Sequence, residues 1–138
     1  MKNFIFSICL LAFVSTVNVQ VTAQGKTKMS DTSSATFLRH VVLFKFKDGT
    51  TPAQVKEVAD AFSVLPSKIN TITGYEWGTN VSPENLAQGF THCFLVTFKD
   101  AAGRDFYLPH PAHKAFGKVL SPYLDKVLVF DFINEPAH

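Results

Sequence analysis

Phe37-Leu38-Arg39-His40-Val41-Val42-Leu43-Phe44-Lys45-Phe46, followed one residue later by Asp48-Gly49, decides the fold. β-Branched and aromatic residues dominate the stretch and Asp-Gly is a turn signal, so it reads as a strand that ends in a turn. Side chains alternate along a strand, which puts Leu38, His40, Val42, Phe44 and Phe46 on one face and leaves a second, largely apolar face opposite. His40 therefore shares a face with hydrophobic neighbours. Just downstream, Thr51-Pro52-Ala53-Gln54 offers a cap residue, proline in the first turn and glutamine where a capping box needs it, so a helix starts here. Val55, Val58, Ala59, Phe62 and Leu65 recur at helical spacing as one apolar stripe, with Lys56, Glu57 and Asp60 on the other side.

The rest of the chain repeats the theme. Residues 72–80, with Tyr75 and Trp77 between Gly74 and Gly78, predict a second strand, and residues 82–90 a connection. Thr91-His92-Cys93-Phe94-Leu95-Val96-Thr97-Phe98 predicts a third strand with His92, Phe94, Val96 and Phe98 on one face, and Cys93 as a small buried hydrophobe. Asp100 can cap a short helix through Leu108, a second helix runs over residues 111–120 before Pro122, and residues 126–133 form the last strand. The order β-α-β-β-α-β is that of a ferredoxin-like α+β sheet with its helices on one face. The other apolar face needs a cover. A second copy is the simplest one, because two such sheets packed face to face close a barrel-like core, a dimeric α+β barrel.

The ends carry different information. Met1-Lys2-Asn3, an apolar run over residues 4–14 and Val21-Thr22-Ala23 before Gln24 read as a secretory signal peptide over residues 1–23. The run is roughly half of the ~20 residues a membrane-spanning helix needs, so the mature chain is expected to be exported, periplasmic or secreted, without a membrane span. Residues 24–36 are small and polar and read as a flexible leader, residues 37–134 as the domain, and 135–138 as a tail. Removing residues 1–23 takes away Lys2 and no acid, so the formal charge falls from +2 by one to +1, and no electrostatic footprint for nucleic acid remains. Cys93 is then the one remaining cysteine, so no intramolecular disulfide is expected.

Asp105-Phe106-Tyr107-Leu108-Pro109-His110-Pro111-Ala112-His113-Lys114-Ala115-Phe116-Gly117 is where chemistry is expected. Pro111 suits the first turn of a helix, which puts His110 at the cap and His113 inside that turn. Imidazole exchanges protons near neutral pH and a phenol donates a hydrogen bond, so His113 and Tyr107 form an acid/base pair on residue types. The bland alternative is a capping histidine and a core tyrosine. Four histidines, His40, His92, His110 and His113, could also converge on a metal. His110 and His113 are separated by Pro111-Ala112 in no recognised ligand motif, and the reading adopted is metal-free and cofactor-free.

Arg39-His40-Val41-Val42-Leu43-Phe44-Lys45-Phe46-Lys47, Trp77-Gly78, Gly89-Phe90-Thr91-His92, Val96-Thr97-Phe98, His110-Pro111-Ala112-His113, Phe116-Gly117 and Phe130-Asp131, taken in this order, resemble the stress-responsive α/β-barrel (Dabb) domain family. The resemblance covers nearly the whole domain and implies a small homodimer with a cavity between helices and sheet. A polyketide cyclase of that family closes a linear poly-β-keto thioester by aldol condensation without an organic cofactor. By that resemblance His113 is the general base and Tyr107 polarises the substrate, and His40, His92 and His110 match cavity positions. Phe62 stands where that cyclase has a tyrosine, which alters the pocket floor. Phe44, Phe62, Phe94, Phe106 and Phe116 would supply aromatic lining. Two functions follow as expectations. One is a cofactor-free cyclase, lyase or isomerase acting on a β-dicarbonyl or other activated carbonyl compound. The other is a binding or stress-response protein that holds a small apolar ligand without turnover. Some family structures hold a cation on backbone carbonyls near the positions of Pro66, Ile69 and Ile72.

Overall fold

The computed structural model describes residues 36–135; the signal-peptide reading, all but the last residue of the leader and most of the tail lie outside the described residues. Strand β1 spans Leu38–Phe46, helix α1 Pro52–Ser63, the single turn α2 Leu65–Lys68, β2 Ile72–Thr79, β3 His92–Phe98, α3 Ala101–Tyr107, α4 Pro111–Leu120 and β4 Leu124–Ile133. The strands form one antiparallel sheet in the order β2-β3-β1-β4, the ferredoxin-like arrangement expected. Among the described residues no helix is long and apolar enough to cross a membrane.

Local chemistry sets the boundaries. Gly49 takes φ +82°, a left-handed backbone that a side chain disfavours, and so turns the chain out of β1. Thr51 and Gln54 complete the capping box of α1, with the Gln54 N–H donating to Thr51 Oγ1 at 3.3 Å and the Thr51 N–H donating to Gln54 Oε1 at 2.9 Å. Asp100 Oδ1 caps α3 by accepting from the Gly103 N–H at 3.0 Å. His110 caps α4, its Nδ1 accepting from the Ala112 N–H at 3.1 Å.

The core lies between helices and sheet. Phe44, Phe62, Phe94, Phe98 and Tyr107 are fully buried there with Val58, Leu65, Ile69 and Val96. Each of the apolar ones stabilises the fold by roughly 1.5–3 kcal/mol relative to exposure, and the fourteen-residue core joins the helices to the inward face of β1 and β3. Among the described residues no helix lies over the opposite face of the sheet. Leu128, Phe130 and Phe132 of β4 are exposed there, and Cys93 is exposed as well. The expectation of a buried Cys93 is corrected: its register partner is Leu43, on the face away from the helices. Phe106 is also corrected as a lining residue, because it is half exposed on the outer side of α3 against the ring of His110.

Candidate functional site

A cavity of about 290 Å³ opens between β1, β4 and the α3–α4 corner. Val42, Phe44, Phe62, Phe116, Leu120, Val127 and Val129 make its walls apolar, and its polar groups come from His40, Tyr107 and His113. Among the described residues no Lys, Arg, Asp or Glu lines it.

Tyr107 and His113 lie together because α3 ends and α4 begins within a few residues. Their ring centroids are 4.2 Å apart. Tyr107 is wholly buried, and its hydroxyl is the one buried side-chain polar atom among the described residues that lacks a hydrogen-bond partner. Burial, and then the neighbouring Tyr75, push its pKa well above the ordinary phenol value, so the group stays a neutral O–H donor. An unmet donor in a low-dielectric cavity costs about 1–3 kcal/mol, which a bound acceptor would recover.

The ring of His113 is fixed by the main chain. Its Nδ1 donates to the Leu108 carbonyl at 3.0 Å, the carbonyl that closes α3, and this leaves Nε2 as the lone-pair nitrogen. Burial pulls the pKa of His113 below its ordinary 6.5; the Leu108 carbonyl works the other way, and His40 and His110 add small repulsive contributions. A histidine held neutral at pH 7 with one nitrogen committed and the other free is equipped as a general base. His40, buried on β1, stands edge-on to Tyr107 with ring centroids 5.7 Å apart, and its Nδ1 is 2.6 Å from Asp131 Oδ1.

The remaining expected residues are elsewhere. His110 is occupied as the α4 cap. His92 lies in a separate groove of about 450 Å³ under α1, lined by Thr50, Pro52, Val55, Lys56, Ala59, Asp60 and Trp77. Its ring stacks on Trp77 with 8° between the planes, and burial lowers its pKa. Phe62 and Phe94 stand between the two spaces, stacked at 4.4 Å, and Phe94 stacks in turn on Trp77 at 5.7 Å. Phe62 and Phe116 thus line the cavity as expected, whereas Phe94 belongs to the wall behind Phe62. The four histidines do not converge, and no three His, Cys, Asp or Glu among the described residues are grouped to hold a metal ion. After α1 the Leu65 and Ile69 carbonyls accept from the N–H groups of Ile69 and Ile72.

Asp131 and Arg104 escaped the reading of the sequence as site residues. Arg104 Nη1 donates to Asp131 Oδ2 at 2.8 Å and so holds the carboxylate that holds His40. The available signal was Asp131 itself, an acid inside the apolar run of β4, where a charge is costly unless paired.

Comparison with known proteins matches this architecture. The sequence profile of the stress-responsive A/B barrel domain fits residues 38–134. The chain is 40% identical over 95 residues to stress-response A/B barrel domain-containing protein HS1 of Arabidopsis thaliana, covering 69% of this chain and 87% of that protein. It is 35% identical over 95 residues to olivetolic acid cyclase of Cannabis sativa, covering 69% of this chain and 94% of the cyclase. Among solved structures, the hydroxynitrile lyase of Passiflora edulis superposes with a TM-score of 0.68 at 25% identity, over 74% of this chain and 96% of the lyase. Several further matches are described as dimeric ferredoxin-like proteins of unknown function. With a matching profile that spans the whole sheet and its helices, and relatives 40% and 35% identical over 95 residues, the chain belongs to the stress-responsive A/B barrel (Dabb) domain family.

Proposed function

We propose that this protein is a cofactor-independent proton-transfer enzyme acting on an activated carbonyl compound, working as an exported homodimer. His113 Nε2 takes the acidic proton, the α-hydrogen of a β-keto ester or the hydroxyl hydrogen of a hydroxynitrile, and the Tyr107 O–H donates where negative charge develops: on the enolate oxygen of the first, or on the nitrile nitrogen of the second as its C–CN bond breaks to leave an aldehyde and cyanide, which takes the proton from His113 as hydrogen cyanide. The observation that carries this reading is the wholly buried Tyr107 hydroxyl with no partner, 4.2 Å ring to ring from a histidine whose other nitrogen is already committed. Two relatives support the class of reaction, one named a cyclase and the other a hydroxynitrile lyase. Their names imply opposite directions of one type of step, making or breaking a bond to a carbonyl carbon.

The dimer follows from the uncovered face of the sheet. Leu128, Phe130 and Phe132 form an exposed apolar strip along that face, and a second copy covers it symmetrically. Export follows from the reading of residues 1–23 and makes a free small molecule a better substrate than a carrier-bound thioester.

The test offers mature protein mandelonitrile and ethyl 2-methylacetoacetate, one hydroxynitrile and one β-keto ester. Release of benzaldehyde, or α-carbon exchange above the buffer rate, is expected in wild type and lost in His113→Ala. No acceleration of either compound, with binding that survives His113→Ala, would make the cavity a carrier or sensor instead.

A further inference from the structure

The cavity holds a second imidazole whose orientation is set from the outside of the fold. His40 and Asp131 are direct register partners on β1 and β4, and both face the helix side of the sheet. His40 Nδ1 meets Asp131 Oδ1 at 2.6 Å, and Arg104 Nη1 on α3 meets Asp131 Oδ2 at 2.8 Å. Arg104 is fixed in turn by Asp105, with Nε at 3.0 Å and Nη2 at 2.8 Å from Asp105 Oδ1. Burial disfavours the charge on Asp131, but hydrogen bonds from Arg104 and His40 outweigh it, and the carboxyl lies below its ordinary range. A carboxylate only accepts, so the hydrogen in the short contact sits on His40 Nδ1, and a ring that carries this one hydrogen has Nε2 as an acceptor. His40 is 4% exposed and lines the cavity beside Tyr107.

We infer that Arg104 and Asp131 are positioning residues that hold His40 as the Nδ1–H tautomer, so that the cavity presents two imidazole acceptors, His40 Nε2 and His113 Nε2, around a single donor, the Tyr107 hydroxyl. The complement of that set is an uncharged compound carrying a hydroxyl hydrogen within two carbons of a carbonyl or nitrile carbon, such as a hydroxynitrile or β-hydroxy ketone. A carboxylate or phosphate is disfavoured, because no Lys or Arg among the described residues lines the space. The ligand class rests on the function proposed above; the tautomer of His40 does not.

The experiment uses the mature full-length protein and two readouts that need no turnover. Long-range ¹⁵N–¹H spectra of the imidazoles at neutral pH, assigned with His40→Gln, should show His40 with a pyrrole-type Nδ1 and a pyridine-type Nε2. Asp131→Asn and Arg104→Gln should mix or reverse the pattern at His40 and leave His113 unchanged, and Arg104→Lys should restore it. A hydrogen on Nε2 in wild type, or a His40 pattern indifferent to both variants, overturns the positioning role. If Asp131→Asn fails to fold, Arg104→Gln decides alone.

Binding of mandelonitrile and of its O-methyl ether, which lacks the hydroxyl hydrogen, tests the ligand class. Wild type should prefer the hydroxyl compound by on the order of tenfold, the discrimination one hydrogen bond supplies, and His40→Gln should reduce the preference. Equal binding of the two compounds, or a preference unchanged in His40→Gln, overturns the assignment of His40 to the ligand. Failure to split mandelonitrile, with that preference intact, would count against the catalytic reading and not against this one.

Discussion

The cavity under α4 and the groove under α1 are built from the same materials, histidine and aromatic rings between a helix and the sheet, yet only one is equipped for proton transfer. In the cavity each imidazole has one nitrogen fixed by a strong acceptor, the Leu108 carbonyl for His113 and the Asp131 carboxylate for His40, and an unmet phenol lies between them. In the groove His92 meets the Thr91 hydroxyl at 2.9 Å, the edge of Phe46 and the flat face of a half-exposed Trp77, beside the surface ion pair Lys56–Asp60. A histidine becomes a site through what holds its far nitrogen and what it faces, more than through burial, since burial lowers the pKa of both His92 and His113.

The comparison breaks most visibly at His113. His113→Ala should reduce turnover of an accepted substrate by about 10²–10⁴-fold, the usual contribution of a general base, while His92→Ala leaves it unchanged in the same assay. Equal losses would mean that both spaces serve one substrate.

Phe62→Ala attacks the wall. Removing a fully buried phenylalanine costs about 3–5 kcal/mol, readable in denaturant unfolding, and the loss of the Phe62–Phe94 stack joins the two spaces. Trp77 is the chain's single tryptophan. Its emission should ignore a ligand bound in the wild-type cavity and respond to the same ligand in Phe62→Ala; a response in wild type would show that the spaces already communicate.

Tyr107→Phe sharpens the contrast between stability and function. Deleting an unsatisfied buried hydroxyl should raise stability by about 1 kcal/mol while turnover falls, as thermal unfolding and the same assay would show. A lower unfolding temperature would mean that the hydroxyl has a structural partner.

Acid should expose both depressed histidines together. Their folded-state pKa values lie below the unfolded 6.5, so the unfolded chain takes up protons first as pH falls. Stability is then full above 6.5 and declines as pH drops towards the folded values. His113→Gln should flatten part of that decline, measured as unfolding midpoints across the range. The smallest effect belongs to the rim of the groove, where Lys56→Ala should cost about 0.3–0.5 kcal/mol, the worth of an exposed i,i+4 pair.

Most of the fold was legible because its signals are local and repeated. The apolar stripe of α1, the Thr51–Gln54 box and the two-sided apolar β1 each point the same way. The turn α2 was missed because four residues carry no periodicity, and the start of β4 at Leu124 depends on pairing with Phe46 past an irregularity in β1. At the site, residue types were visible and commitments were not. His113 is held by a main-chain carbonyl, which has no residue signature, and His40 by a carboxylate 91 residues away in sequence. His110 was read correctly as lying at a cap, and that same role occupies the nitrogen a ligand would need.

The contact between Leu108 and His113 has a further consequence. Leu108 is the C-cap of α3, so the carbonyl at Nδ1 belongs to the negative end of that helix, while His113 itself sits in the first turn of α4, at a positive end. The ring is thus clasped between two opposed peptide dipoles, one welcoming a proton and one resisting it. Because these are fixed partial charges within one turn of the ring and not mobile surface ions, salt that erases long-range surface electrostatics should leave the basicity of His113 nearly untouched.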